Sequence, residues 1–127
     1  MGKKPCIFIA SCKDDLTGLP QPAKDVIGFA LHLAQIGEKH PDAKPLTGHP
    51  EFSGAAVMEV VDDFDGDTYR GVYTVKFAGA VYALDVFQKK SKSGIATSQA
   101  DINRIKGRLQ RAKEHYEKNF RPPKKKK

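Results

Sequence analysis

The stretch Tyr69-Arg-Gly-Val-Tyr-Thr-Val-Lys-Phe-Ala-Gly-Ala-Val-Tyr-Ala-Leu-Asp-Val-Phe-Gln-Lys-Lys-Ser-Lys-Ser-Gly94 decides how this chain is read. Two runs of β-branched and aromatic residues flank Ala78-Gly79, the pattern of two antiparallel strands about a tight turn. Strand side chains alternate, so Tyr69, Tyr73, Val75 and Phe77 share one face of the first strand. Arg70, Val72, Thr74 and Lys76 share the other. The second strand, Val81 to Phe87, runs out into Lys89, Lys90 and Lys92. A rigid hairpin that carries fixed cations to one edge of a sheet suits a surface that handles phosphate.

Upstream, Asp65-Gly66 is a strong hairpin turn, and Val57 to Val61 reads as the strand before it. Asp63-Phe-Asp-Gly-Asp67 lacks the order and the closing Glu of a calcium loop, so the turn is its role. Near the start, the apolar run from Pro5 to Ser11 predicts a first strand, and Lys13 to Pro20 a polar link. A helix is predicted from Pro22, with Val26, Ile27, Ala30, Leu33 and Ala34 on one face and Gly37 ending it. Residues 39–54 hold three prolines and two glycines and are predicted to be a loop with room for one helical turn. The last helix starts at Ser98, a capping residue for Asp101, and repeats Ile102, Ile105, Leu109, Ala112 and Tyr116. Arg104, Arg108 and Arg111 fall off that stripe. The expected architecture is α+β in the order β-α-loop-β-β-β-α. It comprises a small antiparallel sheet of about four strands with helices on one face.

With 127 residues the chain has the length of one domain. Residues 1–120 are expected to form it, and Arg121 to Lys127 a disordered basic tail. No apolar run approaches the roughly 20 residues of a membrane span or the core of a signal peptide, so a cytoplasmic setting is expected. Cys6 and Cys12, on one predicted strand, would lie about 20 Å apart, too far for a disulfide. Two free thiols fit a reducing compartment. No Cys or His spacing suits a metal, and neither metal nor cofactor is expected.

The formal net charge of +7 is unevenly placed. Residues 1–86 carry 8 Lys/Arg against 12 Asp/Glu, whereas residues 87–127 carry 14 against 3. Such concentration points to a polyanionic partner. A solvated helix face with a basic tail would produce the same composition.

Gly66-Asp-Thr-Tyr-Arg70, the Val72-Tyr73 strand, Ala78-Gly-Ala-Val-Tyr82 and, above all, Phe87-Gln-Lys-Lys-Ser-Lys92 resemble the phage-derived branch of the HigB/RelE toxins. Gly94-Ile-Ala-Thr97 leading into a basic helix adds to the resemblance, which covers roughly residues 55–118. It implies a RelE-like fold and the toxin of a toxin–antitoxin pair: an endoribonuclease that cuts mRNA, mostly on the ribosome, and is silenced by a helix-turn-helix antitoxin. Metal-free RNA cleavage needs a base for the 2′-OH, cations for the phosphorane and an acid for the leaving oxygen. Under that reading Arg70, Lys89, Lys90 and His49 are the candidate catalytic residues. Lys76, Lys92, Arg104, Arg108 and Tyr73 are the candidate RNA contacts. The members it resembles carry His where this chain has Asp85, and an Asp supplies a near-neutral acid only if its pKa is raised. The rival reading is a non-catalytic module that uses the same basic surface to hold nucleic acid or a protein. A last expectation is an acidic antitoxin segment docking on Arg104 and Arg108.

Overall fold

The computed structural model describes residues 3–46, 50–52, 54–89 and 98–120, with Glu51 and Lys89 described by their backbone. Nine elements follow in order among these residues. They are β1 (Cys6–Phe8), α1 (Cys12–Thr17), α2 (Gln21–Gln35), β2 (Lys44–Pro45), a 3₁₀ turn (Pro50–Phe52), β3 (Val57–Phe64), β4 (Asp67–Thr74), β5 (Val81–Lys89) and α3 (Gln99–Asn119). The class is α+β, as expected. The sheet, however, has five strands in the order β1-β5-β4-β3-β2, and it is mixed, because β1 runs parallel to β5. Consecutive hairpins fix the antiparallel part. β1, first in the chain, takes the edge beside β5, the last strand, a pairing that no local pattern announces.

Helices pack on both faces of the sheet rather than on one. Tyr69, Tyr73, Val81, Ala83 and Val86 meet α2 through Ile27, Ala30, Leu31 and Ala34. Val72, Tyr82 and Leu84 meet α3 through Ile102, Ile105 and Ala112. The segment before β3, expected as a plain loop, adds Leu46, Phe52 and Ala55 to this second layer. The loop prolines and glycines interrupt regular structure there, but those three apolar side chains still leave water.

The Asp65-Gly66 turn forms as expected, with both residues at positive φ (55° and 83°). The Ala78-Gly79 connection is longer than the expected tight turn, because β4 ends at Thr74 and β5 starts at Val81. Residues 13–20 are also not the expected link. Cys12–Thr17 is a helix, opened by Ser11, whose hydroxyl donates to Asp15 Oδ2 at 2.7 Å. Cys12 therefore leaves the strand and is buried, and both thiols are free. The Ser98 cap forms as expected, accepting from the Asp101 N–H at 3.1 Å. Farther along α3, Tyr82 meets His115 at 2.8 Å and Tyr116 donates to the Ala78 carbonyl at 2.6 Å, tying the helix to the β4–β5 connection. No described helix is long and apolar enough to cross a membrane. The tail after Phe120 lies outside the described residues.

Candidate functional site: a mixed-charge cleft beside β5

The alternation of β5 breaks at one place. Val72 pairs with Asp85, but the next residue, Tyr73, pairs with Ala83, so Leu84 is the extra residue of a β-bulge. The bulge puts Leu84 and Asp85 on the same side, under α3. Without it Asp85 would face α2 among apolar side chains. Asp85 is 2% exposed.

A carboxylate so deep needs partners. Arg104 and Arg108 stand one turn apart on the flank of α3, beside its apolar stripe, and both turn inward. Arg104 Nε donates to Asp85 Oδ2 at 2.7 Å, and Arg108 Nη1 donates to Asp85 Oδ1 at 3.0 Å. Arg104 Nη2 also holds Asp101 at 2.8 Å, and Arg108 Nη1 reaches the Leu84 carbonyl at 3.1 Å. Burial pushes the Asp85 carboxyl above its usual range, while Arg104 and Arg108 pull against that rise. For Arg104, burial works downward, but Asp85 and Asp101 outweigh it and carry its pKa up. Arg104 also lies over the Phe87 ring, its guanidinium carbon 5.1 Å from the centroid.

These residues form one wall of a cleft of about 710 Å³. Val86, Phe87 and Gln88 of β5 make its floor. Asp14 and Asp15 of α1, with Gly18 and Leu19 behind them, make the opposite wall, and Ser98 and Asp101 close the α3 end. Asp14 and Asp15 were invisible as site residues because the sequence places them in a link.

Among the described side chains, Arg104 and Arg108 come together on Asp85, and Arg70, Tyr73 and Lys76 lie away from them. Arg70 is buried, 4% exposed, and pairs with Glu59 of β3 at 2.5 Å. Its face of β4 reads as polar, but β4 is the middle strand and the apolar layer of α3 and the 46–55 segment closes over that face. Tyr73 is 2% exposed in the α2 layer, so its ring has no free face for a base. Lys76 is exposed just after β4, whereas Lys89 pairs with Thr68 at the other end of that strand. The two therefore mark opposite ends of the sheet. Arg104 and Arg108, expected to stand unpaired, both donate to Asp85. Lys89 is described by its backbone alone. His49, Lys90 and Lys92 lie outside the described residues. Among the described residues no group of three or more His, Cys, Asp or Glu is placed to hold a metal.

A family model described as "Phage derived protein Gp49-like (DUF891)" matches residues 14–110. No curated protein and no solved structure matches. The matched span is about three quarters of the 127 residues and runs from Asp14 through the sheet to Arg104 and Arg108. The chain belongs to the Gp49-like family of phage-derived proteins.

Proposed function

We propose that this protein is the toxin of a toxin–antitoxin pair, an endoribonuclease that cuts mRNA presented on the ribosome. The observation that carries the reading is the cleft beside β5. There a buried carboxylate fixes two guanidinium groups, next to a strand that continues into Lys89. Preorganised cations are what a phosphorane requires, since they need no rearrangement as charge develops. Membership of a phage-derived family and an α+β fold of RelE-like size support the same reading.

In this account Arg108 and the lysines at 89, 90 and 92 supply positive charge to the RNA backbone. His49 is the candidate for a proton donor or acceptor near neutral pH. Asp85 orients the arginines and takes no proton from substrate, because both its oxygens are engaged and it is closed off from water. Arg70 serves the fold. The partners are mRNA and an antitoxin with a helix-turn-helix domain, and the setting is the cytoplasm. An acidic antitoxin segment would meet the exposed Lys106, Arg111 and Lys113 of α3 rather than Arg104 and Arg108.

One observation favours the alternative, a non-catalytic binding module. Asp85 stands where the toxins this chain resembles carry His, and it is occupied by two arginines. Induced expression separates the two. Growth arrest, relieved by co-expression of a neighbouring helix-turn-helix gene, supports the toxin. Unimpaired growth with folded protein present supports the binding module.

A further inference from the structure

A guanidinium has five N–H groups in its plane and two flat faces. In Arg104 the Nε and Nη2 side of that plane is committed. Nε donates to Asp85, and Nη2 donates to Asp101. The same two carboxylates offset its charge. Its guanidinium carbon lies over the Phe87 ring, yet the side chain remains 36% exposed and lines the cleft. With that side and much of its charge taken up, what Arg104 chiefly offers the cleft is the face turned away from Phe87.

The surroundings point the same way. Asp14 and Asp15 on the opposite wall are exposed carboxylates, which keep a phosphate off the α1 side of the cleft and accept hydrogen bonds. A group that fits must be flat, must tolerate a cation on its face, and must carry N–H donors on its rim. A nucleobase has all three properties, and unstacked RNA bases settle on guanidinium planes. The cleft, at about 710 Å³, has room for one base and its sugar.

We propose that the Phe87–Arg104 stack is a platform for one nucleobase of single-stranded RNA, seated on the outer face of Arg104 between α1 and α3. Adenine, guanine and cytosine offer amino groups to Asp14 or Asp15, and uracil does not. This proposal rests on the RNA part of the function proposed above, not on cleavage.

The test is equilibrium binding of a short 2′-O-methyl RNA, which cannot be cut, carrying a single 2-aminopurine moved from position to position. Abasic counterparts are measured alongside. For the wild-type protein, one position should show stacking-induced quenching, and removing the base there should weaken binding about tenfold. Arg104→Lys keeps the charge and loses the plane. It should bind the base-bearing and abasic strands equally, with an unchanged salt slope.

Wild-type discrimination in Arg104→Lys overturns the proposal. In Arg104→Met, which removes the charge, a salt slope lowered by about one phosphate contact with base discrimination retained also overturns it. If Arg104→Lys does not fold, the wild-type comparison decides alone, and abasic strands that bind as tightly at every position overturn the platform. Displacement of RNA by an acidic peptide, with no base dependence, assigns the cleft to a protein partner and overturns it as well. Base-dependent binding by a protein that leaves ribosome-bound message intact removes the ribonuclease reading and keeps the platform. Cleavage with no base dependence removes the platform and keeps the ribonuclease.

Discussion

Arg70 of β4 donates to Glu59 of β3 at 2.5 Å, and the two side chains are only 5% and 10% exposed. The pair lies inside the sheet, so a loss of activity on changing Arg70 would first report on folding. Removing one member of a buried pair leaves the other charge uncompensated. Arg70→Ala is expected to cost about 3–5 kcal/mol of stability, whereas Arg70→Met combined with Glu59→Leu is expected to regain most of it. Urea denaturation of the three variants measures this. An Arg70→Ala protein as stable as wild type but without toxicity would return Arg70 to the chemistry.

Gly71 lies under α2, and a Cβ there would stand 2.7 Å from Ile27 Cγ2 and 3.3 Å from Ile27 Cγ1. Gly71→Ala is therefore expected to cost about 1–3 kcal/mol through overpacking. On an Ile27→Ala background, which removes those atoms, the same change should cost almost nothing. Equal costs on both backgrounds in a denaturation cycle would show that the helix and β4 are not in this contact.

Asp85 links pH to stability. Its carboxyl is raised above the ordinary range in the folded chain, chiefly by burial. The folded protein therefore takes up this proton at a higher pH than the unfolded chain does. Its contribution to stability is fully present below the unfolded pKa of about 3.9 and is lost as pH rises through the folded value. The unfolding free energy of wild type minus that of Asp85→Asn should thus increase as pH falls from neutral towards about 4. A difference that shrinks on acidification would mean that Arg104 and Arg108 outweigh burial.

The strand pattern, the Asp65-Gly66 turn, the Ser98 cap and the apolar stripes of α2 and α3 could all be read in the sequence because each is a local signal. β1 beside β5 could not, because a parallel neighbour leaves no mark on either strand. Arg70 was misplaced for a related reason. Alternation tells which side chains share a face of β4, but whether that face is wet depends on α3 and on Leu46, Phe52 and Ala55. The cleft depended on the bulge at Leu84. Counting by twos from Val81 puts Asp85 under α2, and only the extra residue swings it to Arg104 and Arg108. Asp14 and Asp15 were read as a link because α1 is only six residues long.

Both cysteines offer a simple report on the fold. Burial pushes the Cys6 thiol up to about 11 and the Cys12 thiol up to about 12. Thiolate is the reactive form, so neither should react with a thiol-specific disulfide reagent at pH 8 until the protein unfolds. Cys6, partly exposed, should become reactive in milder denaturant than Cys12. Rapid labelling of Cys12 in the absence of denaturant would contradict its burial in the layer between α2 and the sheet.

The central claim is that this protein cuts mRNA, and the most direct measurement uses purified protein on ribosomes stalled over a defined message. RNA ends are mapped before and after addition. The account predicts new 5′ ends within the ribosome-covered codons. They should be formed equally by wild type and by Lys76→Ala, whose side chain lies at the far end of the sheet, and reduced by about 10²–10³ in rate in a folded Arg108→Ala variant. Intact message after prolonged incubation with folded wild-type protein would contradict it and leave the binding module in its place.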